Sequence, residues 1–209
     1  MRIVSPSKIV CVGRNYAEHA KELGNVLPDR PLLFFKPPSA IIGDGDAIVL
    51  PPESRQVEHE GEIAVVVGKR LRRASESEAR AAIGGITCAN DVTARDLQKT
   101  DGQWTRAKGF DTFCPVGPRV LPADQVAPLE ALEVTCRVNG EVRQHGRASD
   151  MAFSIPFLLS YISSIMTLEP GDLVLTGTPA GVGPLTAGDV VEVEVSSVGV
   201  LRNEVRAGP

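Results

Sequence analysis

The stretch VEHEGEIAVVVGK, residues 57–69, constrains this chain more than any other. Ile63, Ala64, Val65, Val66 and Val67 follow one another with no polar residue between them, the mark of a buried strand. Its entrance carries Glu58, His59, Glu60 and Glu62. Alternate side chains of a strand share a face, so the three glutamates point one way and His59, Gly61 and Ile63 the other. Carboxylates two residues apart on one face sit about 7 Å apart at Cα. Close to a core, like charge and desolvation both oppose their ionisation. Either the strand end protrudes and the glutamates are solvated, or a divalent cation compensates them. An all-oxygen ligand set suits Mg²⁺, Mn²⁺ or Ca²⁺ rather than zinc.

A second segment leans toward the cation. CANDVTARD places Asp91 and Asp96 just past an apolar strand start. A third carboxylate from a neighbouring strand would complete a Glu, Glu, Asp face with positions left for water and substrate. NYAEHAKELG reads as a short helix with Asn15 as N-cap and Gly24 as its stop. It brings His19 and Glu22 together at i, i+3. A carboxylate beside an imidazole raises its basicity and orients it, as a general base requires; the same pair on an exposed helix is also ordinary surface. His59 faces away from the glutamates, and His145 merely ends a hairpin. Lys108, in WTRAKGFDTFCP, is either a substrate-facing cation or a snorkelling surface lysine. LTGTPAGVGP lacks the G-K-[ST] of a nucleotide loop. It is a tight turn, or a loop whose N–H groups and Thr178 hydroxyl hold a carboxylate. No G-x-S-x-G or H-E-x-x-H occurs, so serine-hydrolase and zincin chemistry have no support.

The remaining punctuation gives a β-rich α+β chain. KIVCVG, PLLFFKP, DAIVLP, GITCAN, DLVLTGTP, DVVEVEVSSVG and VLRNEVR read as strands, and residues 57–69 as one long strand. LEVTCRVNGEVRQHG is a hairpin turning at Asn139-Gly140. ASESEARAAIGG is a helix ended by Gly84-Gly85, and SIPFLLSYISSIMTL a helix capped by Ser154 with Pro156 in its first turn. Long βαβ alternation is absent, which argues against Rossmann and TIM folds. With 209 residues, 43% of them hydrophobic, one domain can bury its own core. A net charge of -4 argues, though only weakly, against a nucleic-acid partner, which needs a basic face. No apolar run is long enough for a bilayer, and no secretory leader is expected at the N-terminus. Cys11, Cys88, Cys114 and Cys136 form no C-x-x-C pair, so buried free thiols in a reducing cytoplasm are expected.

The motifs IVCVGRNYAEHAKE, LFFKPPSA, VEHEGEIAVVVGK, CANDVTARDLQ, RAKGFDTFCPVGP, VNGEVRQ and DLVLTGTPAGVGP occur in an order that resembles the fumarylacetoacetate hydrolase family across nearly the whole chain. The chain is similar to its short members: acylpyruvate hydrolases, oxaloacetate decarboxylases, and the hydroxyheptadienedioate isomerases and oxo-acid decarboxylases of aromatic catabolism. The resemblance implies a mixed β-sandwich or β-roll. It implies one catalytic domain over residues 1–209, with strand and lid helix at about residues 8–30, working as a homodimer. It also implies metal ligands Glu60, Glu62 and Asp91; catalytic His19, Glu22 and Lys108; and substrate contacts from Arg14, Gln98 and Thr178. The expected cofactor is Mg²⁺ or Mn²⁺, with Ca²⁺ acceptable to the same ligands. The expected reaction is C–C cleavage of a small 2-oxo acid, by acylpyruvate hydrolysis or oxaloacetate-type decarboxylation through a pyruvate enolate. An isomerase or tautomerase using that enolate is the alternative. A metal-binding protein without turnover is the alternative of another class.

Overall fold

A computed structural model of the chain describes residues 6–22, 24, 26–126 and 128–209. Residues 1–5, where no leader is expected, and Leu23 of the expected lid helix lie outside the described residues. In chain order the strands are β1 (Ile9–Gly13), β2 (Leu32–Lys36), β3 (Ile41–Ile42), β4 (Ala47–Leu50), β5 (Val57–His59), β6 (Gly61–Val67), β7 (Ile83–Asn90), β8 (Thr93–Ala94), β9 (Cys114–Pro122), β10 (Glu133–Val138), β11 (Glu141–Arg147), β12 (Leu173–Leu175), β13 (Gly183–Pro184), β14 (Val190–Val195) and β15 (Gly199–Ala207). The helices are α1 (Ala17–Glu22), α2 (Glu76–Ala81), α3 (Arg95–Thr100), α4 (Thr105–Gly109) and α5 (Ile155–Ile165).

Seven strands form one sheet in the order β2-β1-β12-β6-β7-β9-β3, and five form a second in the order β11-β10-β14-β15-β4. Pairing is mostly antiparallel, with β1–β12, β3–β9 and β4–β15 parallel. The first sheet cannot be flat. Its two edges, β2 and β3, are joined by residues 37–40 alone. Seven flat strands would span about 29 Å, whereas five steps of extended chain reach about 17 Å. The sheet therefore curls into a roll.

This curl explains the apolar run. One face of β6 presents Ile63, Val65 and Val67 to Val134, Cys136 and Val193 of the second sheet. The other presents Ala64 and Val66 to the inside of the roll, with Ile9, Cys11, Ala89, Cys114 and Val116. Both faces are covered, so neither tolerates a polar residue. Glu60 and Glu62 share the parity of Ala64 and Val66, and Asp91 that of Ala89. The carboxylates therefore stand at the mouth of the roll. The β-rich α+β reading and the sandwich-and-roll architecture hold.

Several local expectations hold as well. Asn139 and Gly140 adopt φ values of 54° and 82°, as a two-residue hairpin turn requires. Ser154 caps α5, its hydroxyl accepting from Phe157 N–H. Others are corrected. Residues 57–67 are not one strand: the ladder breaks at Glu60, whose N–H goes to the Asn90 side chain, and β5 joins a small third sheet with β8 and β13. Asn15 is not an N-cap. It is fully buried, and its amide ties Phe153 O, Thr176 O and Phe153 N–H together. Gly84 and Gly85 do not end a helix but lie inside β7, where a Cβ would come within 2.8 Å of Gly68 Cα or 2.5 Å of Leu121 O. β9 is not anticipated, because Pro115, Pro118 and Pro122 argue against a central strand.

Gly61 lies directly against the second sheet. A Cβ there would sit 2.9 Å from Cys136 Cβ. Gly61→Ala should cost about 1–3 kcal/mol through overpacking, measured by chemical denaturation; unchanged stability would show that the contact is soft.

Candidate active site

The register of β6 on β7 builds the acidic cluster. Glu62 pairs with Ala89 and Gly61 with Asn90, and the next step joins Glu60 O to Asp91 N–H at 2.9 Å. Carboxylate oxygens of Glu60, Glu62 and Asp91 then lie within 4.8 Å of one another, all buried. Asp96, the other acid of that segment, points elsewhere. It accepts from Ser54 Oγ and Arg55 N–H and holds the loop before β5.

Three buried cations oppose these acids. Lys36 Nζ donates to Asp91 Oδ1 at 2.6 Å and to Val92 O. Lys108 Nζ donates to Glu60 Oε2 at 2.9 Å and Asp91 Oδ2 at 2.7 Å. Arg95 forks between Glu58 Oε2 at 2.8 Å and Glu60 Oε1 at 2.7 Å, and its third nitrogen reaches Gln98 Oε1. Burial pushes the Glu60 carboxyl up, but Lys108 and Arg95 outweigh it and hold Glu60 below the usual carboxylate range. Burial likewise pulls Lys108 down, and Asp91 and Glu60 overcome that to keep it charged.

Glu62 is the exception. Burial raises its carboxyl well above the usual range, Asp91 and Glu60 add to the rise, and the Gly177 N–H at 2.7 Å gives only partial relief. Four carboxylates, Glu58 included, face three cations, and Glu62 is the acid with no ion-pair partner among the described residues. A hard divalent cation on Glu60, Glu62 and Asp91 suits this all-oxygen donor set and would supply the positive charge that Glu62 lacks.

The triad opens into a cavity of about 280 Å³. Glu60, Glu62, His19, Lys108, Arg14, Gln98 and Thr178 line it. Asp91 lies beneath, and Glu22 stands outside on the helix. His19 is 5% exposed, with Nδ1 facing Glu22 Oε2 at 3.4 Å. Glu22 also accepts from Gly181 N–H, which fastens α1 to the glycine-rich loop. Gly181 has φ +100°, and a Cβ there would strike Arg143 O, so only glycine lets the loop lie this close.

Thr178 departs from expectation. Its hydroxyl donates to Gly61 O at 2.8 Å and accepts from Gln144 Nε2 at 2.7 Å, so it has no hydrogen left for a carboxylate. His59 faces away from the triad, as alternation requires, and meets Gln144 Oε1. Burial pulls its imidazole down from the usual value.

Several residues of the site escape the sequence reading. Arg95 sits in TARD next to an aspartate and looks like a surface pair, yet it is 3% exposed. Lys36 is fully buried; a lysine closing the apolar run LLFFK is the signal that could have found it. Phe34 and Trp104 form an aromatic wall with centroids 5.2 Å apart, and Lys108 Nζ lies 4.8 Å from the Phe34 ring centre. Gly13 leaves room for the indole, which a Cβ would approach at 3.3 Å. The four cysteines are free and buried, as expected. No described helix is long and apolar enough to cross a membrane.

The family model described as fumarylacetoacetate hydrolase, C-terminal, matches residues 8–206. The chain belongs to this family. It is similar to the mitochondrial oxaloacetate tautomerase FAHD2A of Bos taurus, at 45% identity over 97% of this chain and 68% of that protein. Among solved structures it resembles 5-carboxymethyl-2-hydroxymuconate delta-isomerase from Mycobacterium smegmatis, with TM-score 0.91, 45% identity, and 99% and 81% of the two chains covered. It also resembles fumarylpyruvate hydrolase from Pseudomonas aeruginosa, a complex with Mn²⁺ and pyruvate, with TM-score 0.92, 30% identity, and 97% and 91% covered. These named relatives are enzymes: a tautomerase, an isomerase and a hydrolase.

Binding at the triad should stabilise the fold. Mn²⁺ at about a hundred times its dissociation constant should add roughly 2.7 kcal/mol, read as a rise in thermal midpoint that EDTA reverses. Glu62→Gln should abolish most of that rise. A midpoint indifferent to Mn²⁺ in the wild type would rule out the triad as a metal site.

Proposed function

We propose that this protein is a divalent-metal-dependent enzyme that acts on small 2-oxo acids through their enolate. The observation that carries the reading is the cavity wall on which Glu60, Glu62, Lys108 and His19 meet, with Asp91 beneath. Glu60, Glu62 and Asp91 would hold Mg²⁺ or Mn²⁺. The cation supplies a Lewis acid for the 1-carboxylate and 2-oxo oxygens.

The chain's own groups do the rest. Lys108, kept charged by Glu60 and Asp91, adds fixed positive charge beside the developing enolate oxygen. Arg95 steadies Glu60 and takes the carbonyl of Gln98, which leaves the Gln98 amide N–H groups to face a ligand. Arg14, on the same wall, offers a cation to a second carboxylate. His19 turns Nδ1 to Glu22, so Nδ1 carries the hydrogen and Nε2 is the lone-pair nitrogen that takes a proton.

Two reactions share this enolate. In proton transfer, His19 Nε2 removes a proton from C3 of the oxo acid and passes it to the oxygen at C2 to give the enol, which returns the imidazole to its starting state. In C–C cleavage, the bond from C3 to the carbon beyond it breaks; that carbon leaves as CO2 or, after attack by a water that His19 deprotonates, as a carboxylic acid, and the electrons of the bond come to rest on the same oxygen. The sequence expectation puts cleavage first. The identities favour proton transfer: oxaloacetate tautomerases of Bos taurus and Rattus norvegicus stand at 43–45% over 97% of the chain, the hydrolase at 30%. The preferred reading is therefore a keto–enol tautomerase or isomerase of 2-oxo dicarboxylates.

One assay separates the readings. Enol oxaloacetate is followed by ultraviolet absorbance while pyruvate is measured by a coupled enzyme, with and without Mg²⁺. Metal-dependent loss of the enol without matching pyruvate is expected, and His19→Ala should slow it by about 10²–10⁴. Pyruvate formed in step with enol loss, or from acetylpyruvate, would restore the cleavage reading. No metal-dependent change with any oxo acid would leave a binding protein.

A further inference from the structure

We propose that Gln144 is a positioning residue of this site, an assignment that rests on the metal-dependent reading above. Gln144 belongs to β11, in the second sheet, and is 1% exposed. Its amide is saturated. Oε1 accepts from Gly61 N–H at 3.0 Å and faces His59 Nδ1 at 3.0 Å. Nε2 donates to Thr178 Oγ1 and to Pro179 O, both at 2.7 Å. The orientation of the amide is unambiguous, because a backbone N–H only donates and a backbone carbonyl only accepts. It follows that His59 carries its hydrogen on Nδ1, and that Thr178 accepts from Gln144 and gives its own hydrogen to Gly61 O.

Two consequences reach the site. Gly61 separates the metal-facing Glu60 and Glu62, and glycine supplies no side chain to restrain its own backbone. Gln144 holds the Gly61 N–H, and Thr178, itself held by Gln144, holds the Gly61 carbonyl. The peptide plane on each side of Gly61 is thereby fixed, and with it the direction in which each glutamate leaves the strand. The second consequence concerns polarity. With one lone pair and its hydrogen engaged, the Thr178 hydroxyl has only an acceptor left for a ligand. An enol O–H or a water fits it, and a carboxylate oxygen does not.

The test uses Gln144→Met, which keeps the length of the side chain and removes all four contacts, with Thr178→Val and the double variant. Mn²⁺ affinity is measured by calorimetric titration, and KM and kcat with enol oxaloacetate; near-ultraviolet circular dichroism checks packing. Gln144→Met should weaken Mn²⁺ binding by about tenfold or more and raise KM. The double variant should raise KM by less than the product of the two single effects, because Gln144 acts on Gly61 partly through Thr178. Wild-type Mn²⁺ affinity and KM in folded Gln144→Met would overturn the assignment, as would KM effects that multiply in the double variant. If Gln144→Met does not fold, Gln144→Asn, which keeps the amide one methylene short, is read by the same criteria. A wild type that binds no Mn²⁺ would overturn the metal reading and this assignment with it, an outcome distinct from equal binding by wild type and variant.

Discussion

The unequal charge inside the roll governs the rest of this structure. Glu58, Glu60, Glu62 and Asp91 are buried, and among the described residues only Lys36, Lys108 and Arg95 pair with them. Buried ion pairs of this kind add little net stability over apolar packing, since desolvation offsets most of the attraction. Their value lies in holding charge at fixed places. Two of the cations are lysines on separate elements, β2 and α4, and the third opens α3. These segments are drawn to the end of β6 by the acids there. Glu62 remains without a cation, and the cavity opens at that point.

The loop of residues 176–181 transmits position between parts that are far apart in sequence. Thr176 Oγ1 donates to Ile63 O, Gly177 N–H to Glu62, and Thr178 Oγ1 to Gly61 O. Each bond fixes one step of the strand that carries the glutamates. Asn15 holds Thr176 O, which ties the turn before α1 to the same loop, and Gly181 N–H donates to Glu22 on α1. The His19–Glu22 pair is thus referenced to the acidic cluster through the loop's backbone. A helix as short as α1 has little stability alone, so such anchoring is what places it. Gly177, at φ +101° and with a Cβ that would fall 2.8 Å from Asn15 Cβ, shows how little freedom the arrangement leaves.

Much of this was legible in the chain. Periodicity and turn chemistry are local, so the hairpin at Asn139-Gly140, the capped helix from Ser154 and the buried strand from Ile63 could be read directly. Strand parity set Glu60 and Glu62 on one face opposite His59. The motifs, taken in order, named the family. The failures share a cause. Asn15, Gly84 and Gly85 have strong local preferences, and each was read by them. In the structure they answer to distant neighbours instead: Asn15 to Phe153 and Thr176, Gly84 to Gly68, and Gly85 to Leu121.

The sequence by itself determined the β-rich class, the shared face of Glu60 and Glu62, and the presence of a His–Glu pair at helical spacing, because each follows from the fixed geometry of a strand or a helix turn. Tertiary structure alone decided what those groups meet. The register of β7 on β6 set Asp91 across from Glu60 and left Asp96 outside. The curl of the first sheet brought Lys36 in from the edge strand, and packing of the second sheet brought Gln144 up behind Gly61. Charge compensation and hydrogen-bond polarity are relations between residues separated by tens of positions. They are set by which surfaces close on one another, and no local pattern in the chain carries that information.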